Sequence, residues 1–597
     1  MDPLAPTPPS APGSLRSLTR RLTLGGAAGV GWPRHELALG AAFLLAAALT
    51  GLLTSGYLLQ LATDIFTFMA MAYGWNLISG MTGYVSFGQI AFYGLGGYGT
   101  ALLILHAHLP WYVAALAAGA VAALIALVLG GVMLRLRGIF FALGMFGLVQ
   151  ILSILFSQWS FAGGGQGLIL PGQLTARAVY AETVAVAILA FLLNLYYSRS
   201  ALGLKAMAIR DDEEAAAAMG VHTTRVKIVT FVLSAIPPAV VAGLVAWNRS
   251  YLDPPSMFDP SVDFQAILFS LLGGMGTLWG PALGTVILEL VGEQIWAQFP
   301  EFQLGLFGLL VVLIVVFFPG GIVSVLRRAG WLRRPVIMAP STLPEGSPPA
   351  PTEEVGRDGP VLEVRGLSVR FGGVTALRDL DLEVRRGETI SIIGANGAGK
   401  TTLFNAITGF VRPTQGEVRF RGRPIKGWSP TRLARAGIGR TFQIPRPMES
   451  MTVWENVLLA ALNGRRRHAA VDQAAWVIRA LGMEAIWLEP VVNLPPGHRR
   501  QVELARALAL QPDVILLDEV MAGMNREEQE RIRDAIRKLH EYGVSAVAGV
   551  EHVVAAIADL CDRIVVLDFG QKIAEGEPQR VLKDPAVIGA YLGEVQE

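Results

Sequence analysis

The fold of the C-terminal half of this 597-residue chain is indicated most strongly by eight residues, Gly394-Ala395-Asn396-Gly397-Ala398-Gly399-Lys400-Thr401. It follows an apolar run at residues 389–393 that predicts a β-strand, and it leads into a helix predicted to begin around Thr401. Glycines let the backbone wrap around phosphates with its N–H groups pointing inward. The lysine reaches the β- and γ-phosphates, and the threonine hydroxyl coordinates Mg²⁺. We therefore predict that these eight residues and Thr402 bind a nucleotide.

A second apolar strand is predicted at residues 514–517, and it ends in Asp518 and Glu519. A carboxylate at the C-terminal edge of such a strand is where the Mg²⁺ of a bound nucleotide sits, so Asp518 is assigned as a metal ligand beside Thr401. Glu519 is then expected to polarise the attacking water as general base. Short β-branched strands alternate with amphipathic helices after residue 361, which predicts an α/β domain.

The N-terminal half has a different composition. Hydrophobic residues make up 52% of the chain and charged residues 16%, but residues 1–334 carry only 17 Lys+Arg and 14 Asp+Glu, against 32 and 33 in residues 335–597. This asymmetry predicts a membrane domain followed by a soluble domain. The net charge of +2 gives no argument for nucleic acid as a partner, and a single cysteine, Cys561, excludes an internal disulfide.

Four regions follow from these patterns. Residues 1–36, with six prolines, predict a disordered cytoplasmic tail. Residues 37–334 predict the transmembrane domain. Residues 335–360, with seven prolines, predict a semi-extended linker without a fold of its own, and residues 361–597 form the nucleotide-binding domain.

Apolar runs of about 20 residues predict transmembrane spans. Ten are expected, near residues 37–54, 57–79, 86–107, 111–134, 138–158, 179–197, 228–248, 263–277, 281–297 and 302–319. Basic residues at 135–137, 199–227 and 327–334 predict that these connections are cytoplasmic, so both termini and the soluble domain are expected there. Glycines and a proline between residues 273 and 281 predict a broken or re-entrant helix, which leaves the number of spans open.

Further motifs of the soluble half follow in the order found in ABC-transporter ATPases, which this half resembles. The resemblance implies that the nucleotide is ATP and that the aromatic Phe371 stacks on its adenine. Gln443, in Arg440-Thr-Phe-Gln443, matches the glutamine that senses Mg²⁺ and contacts the membrane domain. His552 matches the switch histidine on the γ-phosphate, and it joins Glu519 as a catalytic candidate.

The signature motif departs from that family. Leu494-Pro495-Pro496-Gly497-His498 stands where Leu-Ser-Gly-Gly-Gln is usual, and the family motif binds the γ-phosphate of a partner's ATP. The prolines lack both an N–H group and a hydroxyl. We expect the ATP site built from this motif to be the weaker of two, which favours a hetero-assembly with a different ATPase.

The membrane half resembles the permeases of branched-chain amino acid ABC importers. The resemblance rests on residues 75–98, on Arg137-Gly-Ile-Phe-Phe-Ala142 and on Leu272-Gly-Gly-Met-Gly276-Thr-Leu-Trp279-Gly-Pro281.

Residues 211–220 resemble the Glu-Ala-Ala coupling loop of ABC importers, although the later Ile-x-Leu-Pro part is missing. The resemblance implies that Glu214, Ala215, Ala216 and Gly220 couple the two domains. Acidic residues followed by alanines predict a short capped helix, which we expect to dock on the ATPase near Gln443.

Nearly the whole chain is thus identified as an M-type permease fused to a G-type ATPase, an all-α membrane domain followed by an α/β domain. The resemblance implies ATP-driven import of branched-chain amino acids, or related small amino acids and amides, across a bacterial inner membrane. The implied partners are membrane lipid, a second permease, a second ATPase and a periplasmic substrate-binding protein.

Two alternatives stay open. Urea is the alternative solute, because urea permeases look similar. A homodimeric ABC exporter is the alternative of a different class, but short cytoplasmic loops and the coupling helix favour an importer. A regulator that only binds ATP does not explain ten spans.

Overall fold

The computed structural model describes residues 34–171, 175–249, 251–296, 303–318, 320–332, 336–346, 359–464, 469–519, 526–539, 544–549 and 560–592, with residues 334, 348 and 521. Three predicted features lie wholly or partly outside these ranges: residues 1–33 of the tail predicted at residues 1–36, residues 335, 347 and 349–358 of the linker, and the switch candidate His552. A helix begins at Arg34, so residues 34–36 of the predicted tail are helical.

The described membrane half consists of helices and one two-stranded antiparallel sheet. Its helices are α1 (Arg34–Leu53), α2 (Tyr57–Trp75), α3 (Gln89–Ala107), α4 (Trp111–Met133), α5 (Ile139–Gln158), α6 (Ala176–Ser198), α7 (Ala201–Asp211), α8 (Glu213–Ala218), α9 (Thr223–Arg249), α10 (Pro254–Met257), α11 (Pro260–Gly273), α12 (Gly280–Trp296), α13 (Gln303–Phe317) and α14 (Gly321–Arg328). A π-helical turn, Asn76–Gly80, extends α2, and the sheet pairs β1 (Leu168–Ile169) with β2 (Tyr251–Leu252).

Each of the ten predicted spans coincides with a helix, namely α1 to α6, α9, α11, α12 and α13. Among the described helices, α3, α4, α5, α6 and α9 are both long and apolar enough to cross a membrane. Helix α11 has 14 residues and α13 has 15, about 21 and 23 Å of helix against a hydrocarbon core of about 30 Å. The helical membrane domain is confirmed, whereas the number of spans stays a prediction.

The predicted break near residue 277 separates α11 from α12 as two packed helices. A Cβ atom on Gly273 would lie 1.7 Å from the carbonyl oxygen of Gly280, and one on Gly284 would lie 1.8 Å from that of Phe269. The contact between Gly273 and Gly280 is followed by one between Phe269 and Gly284. Residue numbers thus decrease along α11 as they increase along α12, so the two helices form an antiparallel hairpin. Glycine allows this approach because it has no side chain.

The glycines of α3 also serve close packing. A Cβ atom on Gly96 would lie 2.1 Å from the carbonyl oxygen of Ala239 in α9, and one on Gly94 would lie 2.2 Å from the ring of Phe258. A larger residue at either position requires the neighbouring backbone or ring to move.

The soluble half contains the remaining strands and helices. The strands are β3 (Pro360–Phe371), β4 (Val374–Arg385), β5 (Thr389–Ile393), β6 (Gln415–Phe420), β7 (Arg423–Pro424), β8 (Ile438–Arg440), β9 (Val514–Asp518), β10 (Ser545–Gly549), β11 (Arg563–Asp568) and β12 (Gln571–Gly576). The helices are α15 (Lys400–Ile407), α16 (Pro430–Ala436), α17 (Val453–Asn463), α18 (Ala470–Ala480), α19 (Pro496–Ala509), α20 (Arg526–Leu539), α21 (Pro578–Val581) and α22 (Pro585–Leu592).

The sheet topology brings the predicted nucleotide residues to one edge. The described strands form one sheet in the order β12-β11-β5-β10-β9-β8 and an antiparallel sheet in the order β4-β3-β6-β7. Strands β5 and β9 both run parallel to β10, which lies between them. The loop after β5 and the carboxylates at the end of β9 therefore share the C-terminal edge of this sheet, where α/β folds bind ligands.

The first part of the predicted linker is packed against the ATPase domain. The backbone N–H of Ile337 donates to the carboxylate of Glu455 over 2.9 Å. Arg334, the residue just before the predicted linker, donates to the same carboxylate over 3.0 Å. Arg479 donates to the carbonyl of Pro344 over 2.9 Å. Described residues 336–346 contain no helix or strand. Polar groups of the ATPase bind the backbone of this segment, and the semi-extended character of the whole linker stays a prediction.

Candidate functional site

The loop between β5 and α15 needs its glycines. Gly397 and Gly399 have φ angles of 84° and 103°, a region that residues with a side chain rarely occupy. A Cβ atom on Gly399 would also lie 2.7 Å from a methyl carbon of Leu377, and one on Gly394 would lie 2.2 Å from the carbonyl oxygen of Leu567. The sequence folds here into a tight cradle that a side chain would fill.

The other residues of the loop are placed around this cradle. Lys400 is 6% exposed, and its ammonium donates to the carbonyls of Gly394 and Ala395 over 2.6 and 3.1 Å. Ala398 is buried under the loop, Thr402 is half-buried, and Ala395, Asn396 and Thr401 are exposed. Lys400 and the loop backbone thus lie together at the N-terminus of α15, a position that favours anions.

The acidic pair at the end of β9 is joined to the predicted Mg²⁺-sensing glutamine. The side-chain amide of Gln443 donates to Oε1 of Glu519 over 2.5 Å. Asp518 is buried, its backbone N–H donates to Oγ1 of Thr441 over 3.0 Å, and Arg500 donates to the carbonyl oxygen of Glu519 over 2.6 Å. The structure therefore brings Gln443, Asp518 and Glu519 together.

The donor chemistry of this edge fits Mg²⁺. Thr401, Gln443 and Asp518 offer a hydroxyl, an amide and a carboxylate oxygen, the hard donors that Mg²⁺ takes together with substrate phosphates. Within the described ranges there is no group of three or more His, Cys, Asp and Glu side chains able to hold a metal ion, and a nucleotide-bound Mg²⁺ does not need one.

The adenine-stacking candidate, Phe371, lies at the end of β3, where it pairs with Val374 across a two-glycine turn. It is 52% exposed. The same hairpin continues to Ala376, whose carbonyl oxygen would be 2.8 Å from a Cβ atom on Gly399. The aromatic ring is thus on a hairpin that borders the phosphate loop.

The signature motif forms the start of α19. Pro495 is the N-cap and gives no side-chain hydrogen bond, Leu494 and Gly497 are buried, and both prolines are exposed. The carboxylate of Glu528, in α20, lies against Gly497, where a Cβ atom would be 2.6 Å from Oε1. The same oxygen lies 4.0 Å from Nδ1 of His498. Sequence reasoning missed Glu528, because acidic residues in the first turn of a helix are ordinary.

The short capped helix predicted within residues 211–220 is present as α8. The carboxylate of Asp212 caps it by accepting the N–H groups of Glu214 and Ala215, each over 2.9 Å. Ala215 and Ala216 are fully buried. Small side chains allow the helix to lie close to its neighbours.

Helix α8 and the turn after it are docked on the ATPase domain. Arg435 donates to the carbonyl of Gly220 over 2.6 Å, and Thr431 donates to that of Val221 over 3.0 Å. At the other end, the N–H of Ser450 donates to the carboxylate of Asp211 over 2.8 Å.

Arg446 completes the contact, since its guanidinium lies 3.4 Å from a carboxylate oxygen of Asp212 and 3.2 Å from one of Glu214. The helix was expected to dock near Gln443. The ATPase residues that contact its N-terminal end are Arg446 and Ser450, three and seven residues after Gln443. The amide of Gln443 itself binds Glu519. Nothing local in the sequence distinguishes Arg446 from other surface arginines.

A buried charge pair supports α8 from the membrane side. Glu213 accepts hydrogen bonds from Lys227 and from the hydroxyl of Tyr84, both over 2.7 Å, and Lys227 is 4% exposed. Burial alone would raise the pKa of Glu213, but the bonds from Lys227 and Tyr84 outweigh it and hold that pKa below its ordinary value.

Family models match three parts of the chain. Residues 57–315 match the permease component of branched-chain amino acid transport systems, residues 377–522 match the ABC transporter family, and residues 571–597 match a branched-chain amino acid ATP-binding cassette transporter model. Together these matches cover both halves.

Individual relatives match the soluble half. The high-affinity branched-chain amino acid transport ATP-binding protein LivG of Salmonella typhimurium is 37% identical over 251 residues, which are 39% of this chain and 98% of LivG. The corresponding BraF of Pseudomonas aeruginosa is 37% identical over 255 residues, with the same two shares. A nucleotide-free ATP-binding cassette of an ABC transporter, known from a crystal structure, is 31% identical with a TM-score of 0.37, over 39% of this chain and all of that one. The chain belongs to the branched-chain amino acid ABC transporter family, with a permease component and a LivG-like ATPase in one polypeptide.

Proposed function

We propose that this chain is one half of an importer that uses ATP to move branched-chain amino acids, or related small amino acids and amides, across a bacterial inner membrane. The observation that carries the proposal is the docking of α8 and the turn after it on the ATPase, where Arg446 pairs with Asp212 and Glu214 and Arg435 binds the carbonyl of Gly220. Such a contact links nucleotide-driven movement of one half to the other. The family of both halves supports the solute class.

In the ATPase, Lys400 and the backbone of residues 394–399 bind the phosphates of ATP at the N-terminus of α15. Glu519 takes a proton from the attacking water, and Gln443 orients that carboxylate through their 2.5 Å hydrogen bond. When bound, Mg²⁺ neutralises phosphate charge, with Thr401, Asp518 and Gln443 as the residues that would hold it. Phe371 and His552 retain the roles expected from the family, adenine stacking and γ-phosphate contact.

The route from ATP to the membrane passes through Arg446. It is three residues from Gln443, it pairs with Asp212 and Glu214 of the coupling segment, and its carbonyl accepts a hydrogen bond from Arg506 of α19 over 2.6 Å. Arg446 therefore contacts both α8 and α19, and it lies three residues after Gln443, the predicted Mg²⁺-sensing glutamine. A shift of α19 when two ATPase domains close would move the contact with α8.

The signature helix supports assembly with a different ATPase. In the family its N-terminus receives the γ-phosphate of a partner's ATP, but here Pro495 and Pro496 supply no N–H donor. The carboxylate of Glu528 also lies against Gly497 and adds negative charge where a phosphate would bind. A homodimer would contain two such sites, whereas a hetero-assembly contains one.

We therefore propose a complex with a second permease, a second ATPase and a periplasmic binding protein. Urea is the rival solute, and an exporter is the rival class. The permease family and the docked α8 favour import.

The importer proposal predicts that ATP hydrolysis responds to a loaded receptor. In proteoliposomes that hold this chain with its co-purified subunits, substrate-loaded binding protein on the outside should raise ATP hydrolysis and drive uptake of radiolabelled leucine. Unloaded binding protein is the control. Uptake of urea without leucine would support the rival solute. Substrate stimulation without any binding protein would overturn import in favour of export.

The assignment of Glu519 as general base predicts different defects for two variants. Glu519→Gln should keep ATP binding but lower hydrolysis by at least about a hundredfold, because the amide cannot accept the proton. Lys400→Ala should instead weaken ATP binding, as measured by equilibrium binding of a fluorescent ATP analogue. Glu527→Gln, a change of the same type on exposed α20, is the control. Hydrolysis by Glu519→Gln at the rate of the control would refute the assignment.

The buried pair below α8 predicts that neighbouring glutamates differ in importance. Glu213→Gln leaves the charge of Lys227 buried without its carboxylate, which typically costs about 3–5 kcal/mol. Glu214→Gln removes an exposed pair worth less than about 1 kcal/mol. In thermal unfolding of the detergent-solubilised full chain, the unfolding midpoint should therefore fall strongly only for Glu213→Gln.

The lowered pKa of Glu213 fixes the pH dependence of that loss. Its contribution is full above the ordinary carboxyl pKa of 4.5 and is lost as pH falls through the lowered value. The difference in unfolding midpoint between wild type and Glu213→Gln should therefore be constant around neutral pH and become smaller in strong acid. Equal losses for both variants at pH 7 would contradict the account.

A further inference from the structure

A cavity of about 300 Å³ lies at the junction of the permease, the linker and the ATPase. Its walls come from the end of α6, from α7, from the turn between α11 and α12, from α14, and from the linker around Arg334. The ATPase contributes Ser450, whose N–H also donates to the carboxylate of Asp211, just before α8. The cavity is thus separate from the ATP site and adjoins the contact that joins the two halves.

The charge of the lining has one sign. Arg199, Arg210, Arg327 and Arg334 line the cavity, and no aspartate or glutamate is found among the described lining residues. Two of these guanidinium groups also pair with carboxylates beside the cavity, Arg210 with Asp211 and Arg334 with Glu455, so the lining itself is basic.

The arginines are positioned by the surrounding structure. Arg210 donates to the carbonyl of Gly80 over 3.0 Å and to Oγ of Ser450 over 3.1 Å. Arg334 donates to the backbone of Ser450 and lies 3.0 Å from Glu455. Burial lowers the pKa of Arg210, Asp211 opposes this effect, and the nearby charge of Arg334 adds to it. Both guanidinium groups bind Ser450, so two like charges lie close together there, and an anion between them would lower their mutual repulsion.

The rest of the lining combines apolar side chains with the hydroxyls of Ser198, Thr277, Ser324 and Ser450. Met81, Met207, Leu278 and Val323 contribute to the walls. Helix α14, which carries Ser324 and Arg327 into the lining, is amphipathic, and Trp331, three residues after its end, is 76% exposed. A short amphipathic helix with an exposed tryptophan and arginines is typical of a segment at the membrane–water interface.

We propose that this cavity binds a phosphate-bearing anion, either the headgroup of an anionic phospholipid or free phosphate, and that the bound anion holds the permease against the ATPase. Guanidinium groups bind phosphate oxygens through paired, charge-assisted hydrogen bonds. Anionic lipids collect at basic juxtamembrane segments, and the apolar walls suit the glycerol end of a lipid. The proposal does not depend on which solute is transported.

Purified full chain in detergent can be titrated with phosphatidylglycerol, with phosphatidylcholine, or with inorganic phosphate at constant ionic strength, while the midpoint of thermal unfolding is measured. The test variant is Arg199→Gln/Arg327→Gln. The matched control is Arg328→Gln, the neighbouring arginine of α14, which is exposed and does not line the cavity.

Phosphatidylglycerol should raise the midpoint of wild type and of Arg328→Gln, and phosphatidylcholine should not. In the double variant the half-saturating concentration should rise by at least about tenfold, the effect of losing one charge-assisted hydrogen bond. A shift with inorganic phosphate that the double variant loses would identify free phosphate as the source. An equal response to both lipids and none to phosphate would overturn the proposal, as would an equal loss in Arg328→Gln.

A measurement on wild type covers the case in which the double variant does not fold. Photoactivatable phosphatidylglycerol should label peptides that contain residues 275–279 or 320–332, and excess unlabelled phosphatidylglycerol or inorganic phosphate should prevent it. Labelling confined to other parts of the chain, together with no shift of the wild-type midpoint by inorganic phosphate, would also overturn the proposal.

Discussion

The contact between α8 and the ATPase is the interaction on which the rest of the molecule depends. Three carboxylates lie at the start of this short helix. The N–H of Ser450 in the ATPase donates to Asp211, and the guanidinium of Arg446 pairs with Asp212 and Glu214. The single pairs are partly exposed and weak. Their combination with buried alanines and the bond from Arg435 to Gly220 fixes the position of the helix.

The two ends of this contact are supported differently. On the membrane side, the N-terminal end of α8 is anchored by the ion pair between Glu213, its first residue, and the buried Lys227. On the ATPase side, Arg506 holds the backbone of Arg446 and pairs with Glu503 inside α19. The arginine-lined cavity lies beside the same contact, since Ser450 belongs to both. The junction therefore combines buried pairs, which specify a geometry, with exposed pairs, which can separate and re-form.

The ATP site could largely be predicted because its geometry follows from local patterns. A strand, a glycine-rich loop and a lysine at fixed spacing determine how the backbone turns after β5. An apolar strand ending in Asp518-Glu519 must deliver its carboxylates to the edge of the sheet. The membrane helices were predictable in position for a similar reason, since a long apolar run can satisfy its backbone in lipid only as a helix. The antiparallel hairpin of α11 and α12 depends on backbone contact between Gly273 and Gly280, and glycine alone predicts only a break.

The contacts between distant parts of the chain were not predictable. Arg446 binds residues more than 230 positions away, and its surroundings in the sequence resemble those of any exposed arginine. The same applies to Glu528 against Gly497 and to the linker backbone bound by Glu455. Each is a side chain whose partner is chosen by tertiary packing, so propensity and spacing carry no signal for it.

We infer that Arg446 transmits ATP-driven movement to the permease through Asp212 and Glu214. The most direct measurement is the amount of solute imported per ATP hydrolysed in proteoliposomes, for Arg446→Glu alone and combined with Asp212→Arg/Glu214→Arg. The account predicts that Arg446→Glu lowers this ratio, because like charges then face each other, and that the reversed carboxylates restore it. An unchanged ratio in Arg446→Glu, or a loss that charge reversal does not repair, would contradict the account.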